Sequence, residues 1–92
     1  MALTVIAHIT AKEEFTAQVE TALTQLLEPT RKEDGCIRYV LYKSTEAPHV
    51  FLMYEVWRDR PSFERHNEQL HLQLFVTQAK GWLSKEMEVE VF

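Results

Sequence analysis

Apolar and polar positions alternate along residues 3–10, Leu-Thr-Val-Ile-Ala-His-Ile-Thr. Leu3, Val5, Ala7 and Ile9 share one face and Thr4, Ile6, His8 and Thr10 the other, and the β-branched content supports a strand. From Lys12 the period changes. Phe15, Val19, Ala22, Leu23, Leu26 and Leu27 recur at helical spacing between Thr, Gln and Glu, which predicts an amphipathic helix. Glu13 and Glu14 suit its N-terminus. Pro29 predicts its end, because the residue before a proline disfavours the αR region. Thr30 to Gly35 reads as a polar turn closing on Asp-Gly. Two strand-like runs, 36–43 and 49–57, flank the short connection Ser-Thr-Glu-Ala-Pro and predict a hairpin. Pro61 fits the first turn of a second helix, with Asp59 or Arg60 near the cap. Phe63, His66, Leu70, Leu74 and Ala79 mark its course, with a bend around residues 67–69 and Gly81 as its stop. Residues 87–92 alternate again and predict a last strand.

The order β-α-β-β-α-β predicts one α+β domain over residues 1–92, a ferredoxin-like sandwich with two helices on one face of a four-stranded antiparallel sheet. Such a sheet should be polar on its free face. The hairpin strands are apolar on both. Ile37, Tyr39 and Leu41 oppose Val40 and Tyr42, and Val50, Leu52, Tyr54 and Val56 oppose Phe51, Met53 and Trp57. Large apolar patches seldom stay exposed, so a second sheet is expected to cover the face that the helices leave open. The expected assembly is a homodimer with a shared, barrel-like core.

Composition strengthens that expectation. The chain has 92 residues, of which 46% are hydrophobic, with two glycines and three prolines. A domain this small has a marginal core of its own. The net charge is -4 with no basic cluster, which argues against nucleic acid as a partner. The single cysteine, Cys36, excludes an intrachain disulfide and a cysteine-rich metal site. The sequence shows neither a signal-peptide pattern nor an apolar run long enough to span a membrane, so a cytoplasmic protein without a membrane partner is expected.

Candidate chemistry rests on histidines and one carboxylate. His66 and His71 form the main cluster, and a histidine beside a pocket titrates in a useful range for acid–base work. Their spacing, His-x4-His, does not place both on one helix face, and a third ligand is missing, so no metal is expected. His8 in the first strand reads either as a satisfied core histidine or as a pocket donor. His49 carries no motif. Glu55, between Met53 and Trp57, must be paired or protonated if buried, and Arg38 on the neighbouring strand is a possible partner. Trp57, Phe63 and Trp82 read as core or as walls of an aromatic pocket. Cys36 follows a carboxylate that would raise its pKa and reads as a small core residue. With two glycines in all, a phosphate cradle has no material.

The runs Glu-Asp-Gly-Cys-Ile-Arg-Tyr (33–39) and Tyr-Glu-Val-Trp (54–57), His66 and His71, and the opening Leu-Thr-Val-Ile-Ala (3–7) together resemble the antibiotic biosynthesis monooxygenase domain. The resemblance implies a dimeric α+β barrel. It further implies cofactor-independent oxidation of a quinol or polyketide-like aromatic, in which the substrate anion reacts with oxygen. The substrate would lie between sheet and helices, lined by His8, Met53, Glu55, Trp57, Phe63, His66 and His71. His66 would be the base, His71 or His8 a hydrogen-bond donor, and Trp57 and Phe63 the stacking walls. Two positions depart from the pattern: Leu70 stands where a proline often precedes the second histidine, and Gln69 where a small hydroxylated residue is common. Haem-degrading relatives use a haem-ligating histidine further along, and none follows His71. Relatives that isomerise a phosphorylated sugar need cationic contacts, for which only Arg38 and Arg58 offer themselves. A non-catalytic ligand-binding dimer is the remaining alternative.

Overall fold

The alternating N-terminal segment forms strand β1, Leu3–Thr10, in the computed structural model, which describes residues 2–92. A single 3-10 turn at Glu13–Phe15 leads into helix α1, Thr16–Arg31. Strands β2 (Cys36–Lys43) and β3 (Val50–Trp57) make the hairpin, helices α2 (Arg60–Asn67) and α3 (Leu70–Ala79) follow, and β4 (Glu88–Val91) closes the chain. The sheet runs β2-β3-β1-β4 and every pairing is antiparallel. This is the expected ferredoxin-like α+β fold.

The register sets which side chains meet. Val5 pairs with Glu55 and Ala7 with Met53 across β1 and β3, and Tyr39 pairs with Glu55 across β2 and β3. Side chains alternate across a sheet, so Val5, Ile9, Tyr39, Phe51, Met53, Glu55 and Trp57 all enter the layer under the helices and are buried. Val19, Leu23 and Leu26 of α1 and Phe75 and Ala79 of α3 close on them. Each large side chain buried this way contributes roughly 1.5–3 kcal/mol by transfer from water. Truncating Leu23, 1% exposed, to Ala should therefore cost about 2–5 kcal/mol.

Three sequence expectations need correction. The first helix does not stop at Pro29 but runs to Arg31 with the proline inside it. The ring removes one backbone bond. Leu26 is buried in the core, and Arg31 Nε donates to the Tyr39 carbonyl at 2.9 Å, so the last turn is tied to β2 despite that loss. The second helix is not bent but broken: α2 ends at Asn67, and Gln69 is extended (φ -70, ψ 143) before α3 begins. Ile37 does not share the face of Tyr39. The register slips between Cys36, opposite Trp57, and Arg38, opposite Val56. Ile37 is the extra residue of this bulge and is 56% exposed. The bulge sends Cys36 to the helix side and Arg38 to the open side, where its guanidinium lies 5.7 Å from the Tyr54 ring centroid.

The open face carries Ile6, Val40, Leu52, Tyr54 and Val56, each only partly shielded by its neighbours. No helix among the described residues is long and apolar enough to cross a membrane.

Candidate active site

Two turns decide where the site forms. Gly35, at φ +89, ends the turn between α1 and β2, and a Cβ there would overlap the buried side chain of Ser62. Only glycine takes this backbone conformation and this contact together. Ser62 lies in the first turn of α2, whose N-cap is Asp59: the Asp59 Oδ1 accepts from the Ser62 amide at 2.9 Å and from its hydroxyl at 2.6 Å. The Asp59 carboxyl is held below the usual range by these two bonds. The Arg58 amide donates to the Gly35 carbonyl at 2.8 Å, and its guanidinium reaches both oxygens of Asp34 at 3.2 Å. The start of α2 is thereby docked on the turn that carries Glu33.

That docking brings Glu33 to the histidines. Its Oε2 lies 2.8 Å from His66 Nδ1 and 2.7 Å from His71 Nε2. His66 projects from α2 and His71 from α3, and the break between the helices lets the two rings approach to 6.2 Å. An uninterrupted helix would separate them on different faces. His66 is 2% exposed, tilted against Trp57 at 4.7 Å between centroids and edge-on to Tyr39 at 5.5 Å. Burial pushes its pKa down, against the opposing pull of Glu33. The imidazole is thus neutral at neutral pH. An ionised carboxylate only accepts hydrogen bonds, so Nδ1 carries the proton and Nε2 keeps its lone pair for a ligand.

Between the sheet and helices α2 and α3 lies a cavity of about 250 Å³. Val5, Ala7, Met53, Phe75 and Val89 make its apolar walls, and Tyr39, Glu55, His66, Asn67 and Gln73 its polar points. Glu55 is 5% exposed, and its Oε1 accepts from the Trp57 indole Nε1 at 3.0 Å. Burial pushes its pKa up to about 7, although the indole bond works the other way.

Of the residues expected at the site, Met53, Glu55, Phe63 and His66 line the cavity. Trp57 lies beneath it, fully buried, joining Glu55 to His66. His71 stands behind His66 on Glu33 rather than in the cavity wall. His8 is elsewhere. It points from the opposite face of β1 and meets Glu90 at 2.8 Å, because its strand parity is that of Ile6, not of Val5 and Ala7. Arg38 lies on that open side too and cannot partner Glu55. Trp82 stacks on Phe15 at 6.4 Å, away from the cavity. Cys36 is half-buried, and its thiol is pushed up to about 11 by burial first and by Glu33 and Glu55 next, not by the adjacent Asp34. Gln69 holds the N-cap of α3 without a side-chain cap bond; its amide donates instead to the Arg65 carbonyl at 3.2 Å.

Glu33, Tyr39, Asn67 and Gln73 escaped sequence reasoning. For Glu33 a signal existed: a carboxylate just before Asp-Gly, in a turn that must cross to the start of α2. Glu33, His66 and His71 offer three donor atoms within 4.8 Å of one another. They are the residues that could hold a divalent cation, yet both nitrogens already sit at hydrogen-bond distance from one carboxylate oxygen.

Known proteins share this architecture. A crystal structure of PA3566 from Pseudomonas aeruginosa superposes with a TM-score of 0.94 at 33% identity, covering 99% of this chain and 91% of that one. A Bacillus subtilis protein named "Putative monooxygenase YcnE" is 31% identical over 90% of this chain and 87% of its own length. An uncharacterized Synechocystis protein, sll1783, is 35% identical over 88% of this chain, which spans only 52% of that relative. The family model described as antibiotic biosynthesis monooxygenase matches residues 2–78, a stretch that includes β1, the Glu33 turn, the hairpin and both site histidines, and the chain belongs to that family.

Proposed function

We propose that this chain is a cofactor-independent monooxygenase that binds a small phenolic or quinol-type aromatic in the cavity between sheet and helices. His66 Nε2 takes the phenolic proton, and Glu33 holds the imidazole by Nδ1 and stabilises the imidazolium that forms. The electron-rich substrate anion then reacts with oxygen. One oxygen atom enters the substrate and the other leaves as water, the substrate itself supplying all four electrons. His71 shares the Glu33 oxygen and fixes the carboxylate from its far side. Phe63 and Met53 give the ring its apolar walls.

The observation that carries this reading is the bond of 2.8 Å from His66 Nδ1 to Glu33, which leaves the other nitrogen of a buried, neutral imidazole available at the cavity. A phosphorylated sugar fits less well, since no Lys or Arg among the described residues lines the cavity. The apolar open face supports a homodimer in which a second copy covers it, in the oxidoreductase form that the family description suggests. Oxygen uptake with a panel of quinols and anthrone-like phenols, without added flavin or metal, tests the activity. Uptake that falls about 10²- to 10⁴-fold in His66→Ala is expected. Full turnover in that variant would overturn the base assignment.

A further inference from the structure

The proton transfer to His66 leaves Glu55 unused, although it lines the same cavity. It stands in the middle of β3 with Trp57 Nε1 on its Oε1. No Lys or Arg among the described residues forms an ion pair with it. The titratable groups that face it are Tyr39, its register partner on β2, and His66 of α2; Glu33 and Cys36 lie in the turn and at the start of β2. Helices α1 and α3 and strands β1 and β4 bring no charged group to the cavity wall. None of these neighbours offers a positive charge while His66 is neutral. A carboxylate so placed is better protonated, in keeping with a pKa near neutrality.

We propose that Glu55 stands in the cavity as a carboxylic acid that donates a hydrogen bond to a carbonyl oxygen of the ligand, so that the site selects a one- or two-ring aromatic with a hydroxyl for His66 and an oxo group for Glu55. This rests on the phenolic reading above and narrows it. Size sets the ring count, because about 150 Å³ of apolar cavity already accepts benzene, and here about 250 Å³ is available. Chemistry sets the second oxygen. When the hydroxyl is deprotonated, its charge spreads through the ring onto a conjugated oxo group, where a fixed donor is most useful. An ionised Glu55 would repel that charge. Trp57 touches both Glu55 and His66, so one rigid side chain sets the spacing of acid and base.

The test is calorimetric binding of two probes, 7-hydroxy-1-tetralone and 5,6,7,8-tetrahydro-2-naphthol, which share a skeleton and a hydroxyl but differ in the oxo group. That oxo group is meta to the hydroxyl and not conjugated with it, so the pair reads the hydrogen bond from Glu55 apart from any spreading of charge. The ratio of their affinities cancels whatever His66 contributes. The unsubstituted protein should prefer the ketone by about tenfold at about pH 6, and the preference should shrink to about threefold or less at about pH 8.5. Glu55→Gln, whose amide donates at any pH, should hold the preference at both. Glu55→Leu should lose it at both. A preference that survives in Glu55→Leu, or that ignores pH in the unsubstituted protein, overturns the role of Glu55 while leaving the aromatic pocket intact. Failure of both probes to bind the unsubstituted protein at millimolar concentration overturns the phenolic reading and this inference with it.

Discussion

Glu33 and His66 are 33 residues apart in the chain, yet the carboxylate Oε2 and the imidazole Nδ1 meet at 2.8 Å. The contact selects a tautomer. In Glu33→Gln the amide can donate as well as accept, so the lone pair can settle on Nδ1 and the base be lost. Turnover should fall about tenfold or more with KM little changed. A second readout separates orientation from mere disturbance. Glu33 raises the His66 pKa against the effect of burial. Its neutralisation should move the acid limb of the kcat/KM profile to lower pH even as the plateau drops. An unmoved limb would show that the carboxylate does not act on His66.

Glu55 makes stability depend on pH in a direction unusual for a carboxylate. Its pKa in the fold is raised from 4.5 to about 7, so between these values the native state binds more protons than the unfolded chain. Stability associated with Glu55 is therefore full below pH 4.5 and declines as pH rises to about 7. The shift corresponds to about 3 kcal/mol at most. Glu55→Gln keeps an acceptor for Trp57 and cannot ionise. By urea unfolding it should be more stable than the unsubstituted protein at about pH 8 and equal to it at about pH 4.5. His66 opposes this trend: its lowered pKa means that stability is lost as pH falls below its unfolded value of about 6.5. The comparison is therefore made between proteins that both keep His66.

Gly35→Ala should damage fold and site together. The residue would sit at φ +89 with its methyl group driven into Ser62. Backbone strain alone is worth about 1–3 kcal/mol. Relief requires moving α2 away from the turn, and with it His66 from Glu33. A loss of stability in that range on urea unfolding is expected, with a drop in quinol turnover larger than the stability loss accounts for at a temperature where the variant is folded. Turnover unchanged in the folded variant would mean that the Gly35–Ser62 contact does not set the site.

The sheet and helices were legible because strand and helix periods differ, and the segments 3–10, 15–27 and 87–92 obey theirs cleanly. The bulge at Ile37 was not, because one extra residue leaves the alternation on either side looking continuous. Met53 and Glu55 of β3 entered the candidate pocket through the family resemblance, and parity put them on one face without saying which face the helices cover. His8 is misassigned by the same route, since only the pairing with β3 and β4 says which of the two faces the helices cover. Glu33 was hidden for a different reason. A carboxylate before Asp-Gly is a local signal, but its meeting with His66 and His71 depends on the contact between Gly35 and Ser62, far apart in the chain, which no local pattern encodes.

The position of His8 makes a discriminating control. It is separated from the cavity by the sheet and bonds Glu90 at 2.8 Å in a setting that is 41% and 57% exposed. An exposed pair of this kind contributes about 0–1 kcal/mol. His8→Ala should leave quinol turnover within about twofold, against the loss of about 10²- to 10⁴-fold in His66→Ala. A loss of turnover as severe as that of His66→Ala would place His8 in the reaction through some route the single chain does not contain.

The open side of the sheet gives the last prediction. Leu52, Tyr54 and Val56 on β3 are flanked by Ile6 on β1 and Val40 on β2, and no helix among the described residues packs on that side. Left in water, such a patch loses stabilisation of about 25 cal/mol for every Å² that a partner would bury. A second sheet packed on it would place Leu52 at the centre of the interface, where a carboxylate would be taken out of water with His8, its register partner on β1, beside it, at a cost of several kcal/mol. Light scattering at micromolar concentration should give twice the monomer mass for the unsubstituted protein and the monomer mass for Leu52→Glu. Because the cavity lies on the other side of the sheet, a folded Leu52→Glu monomer should still bind a phenolic ligand, more weakly if the partner braces the strands. A monomer in the unsubstituted protein would leave the apolar face without the partner assigned to it.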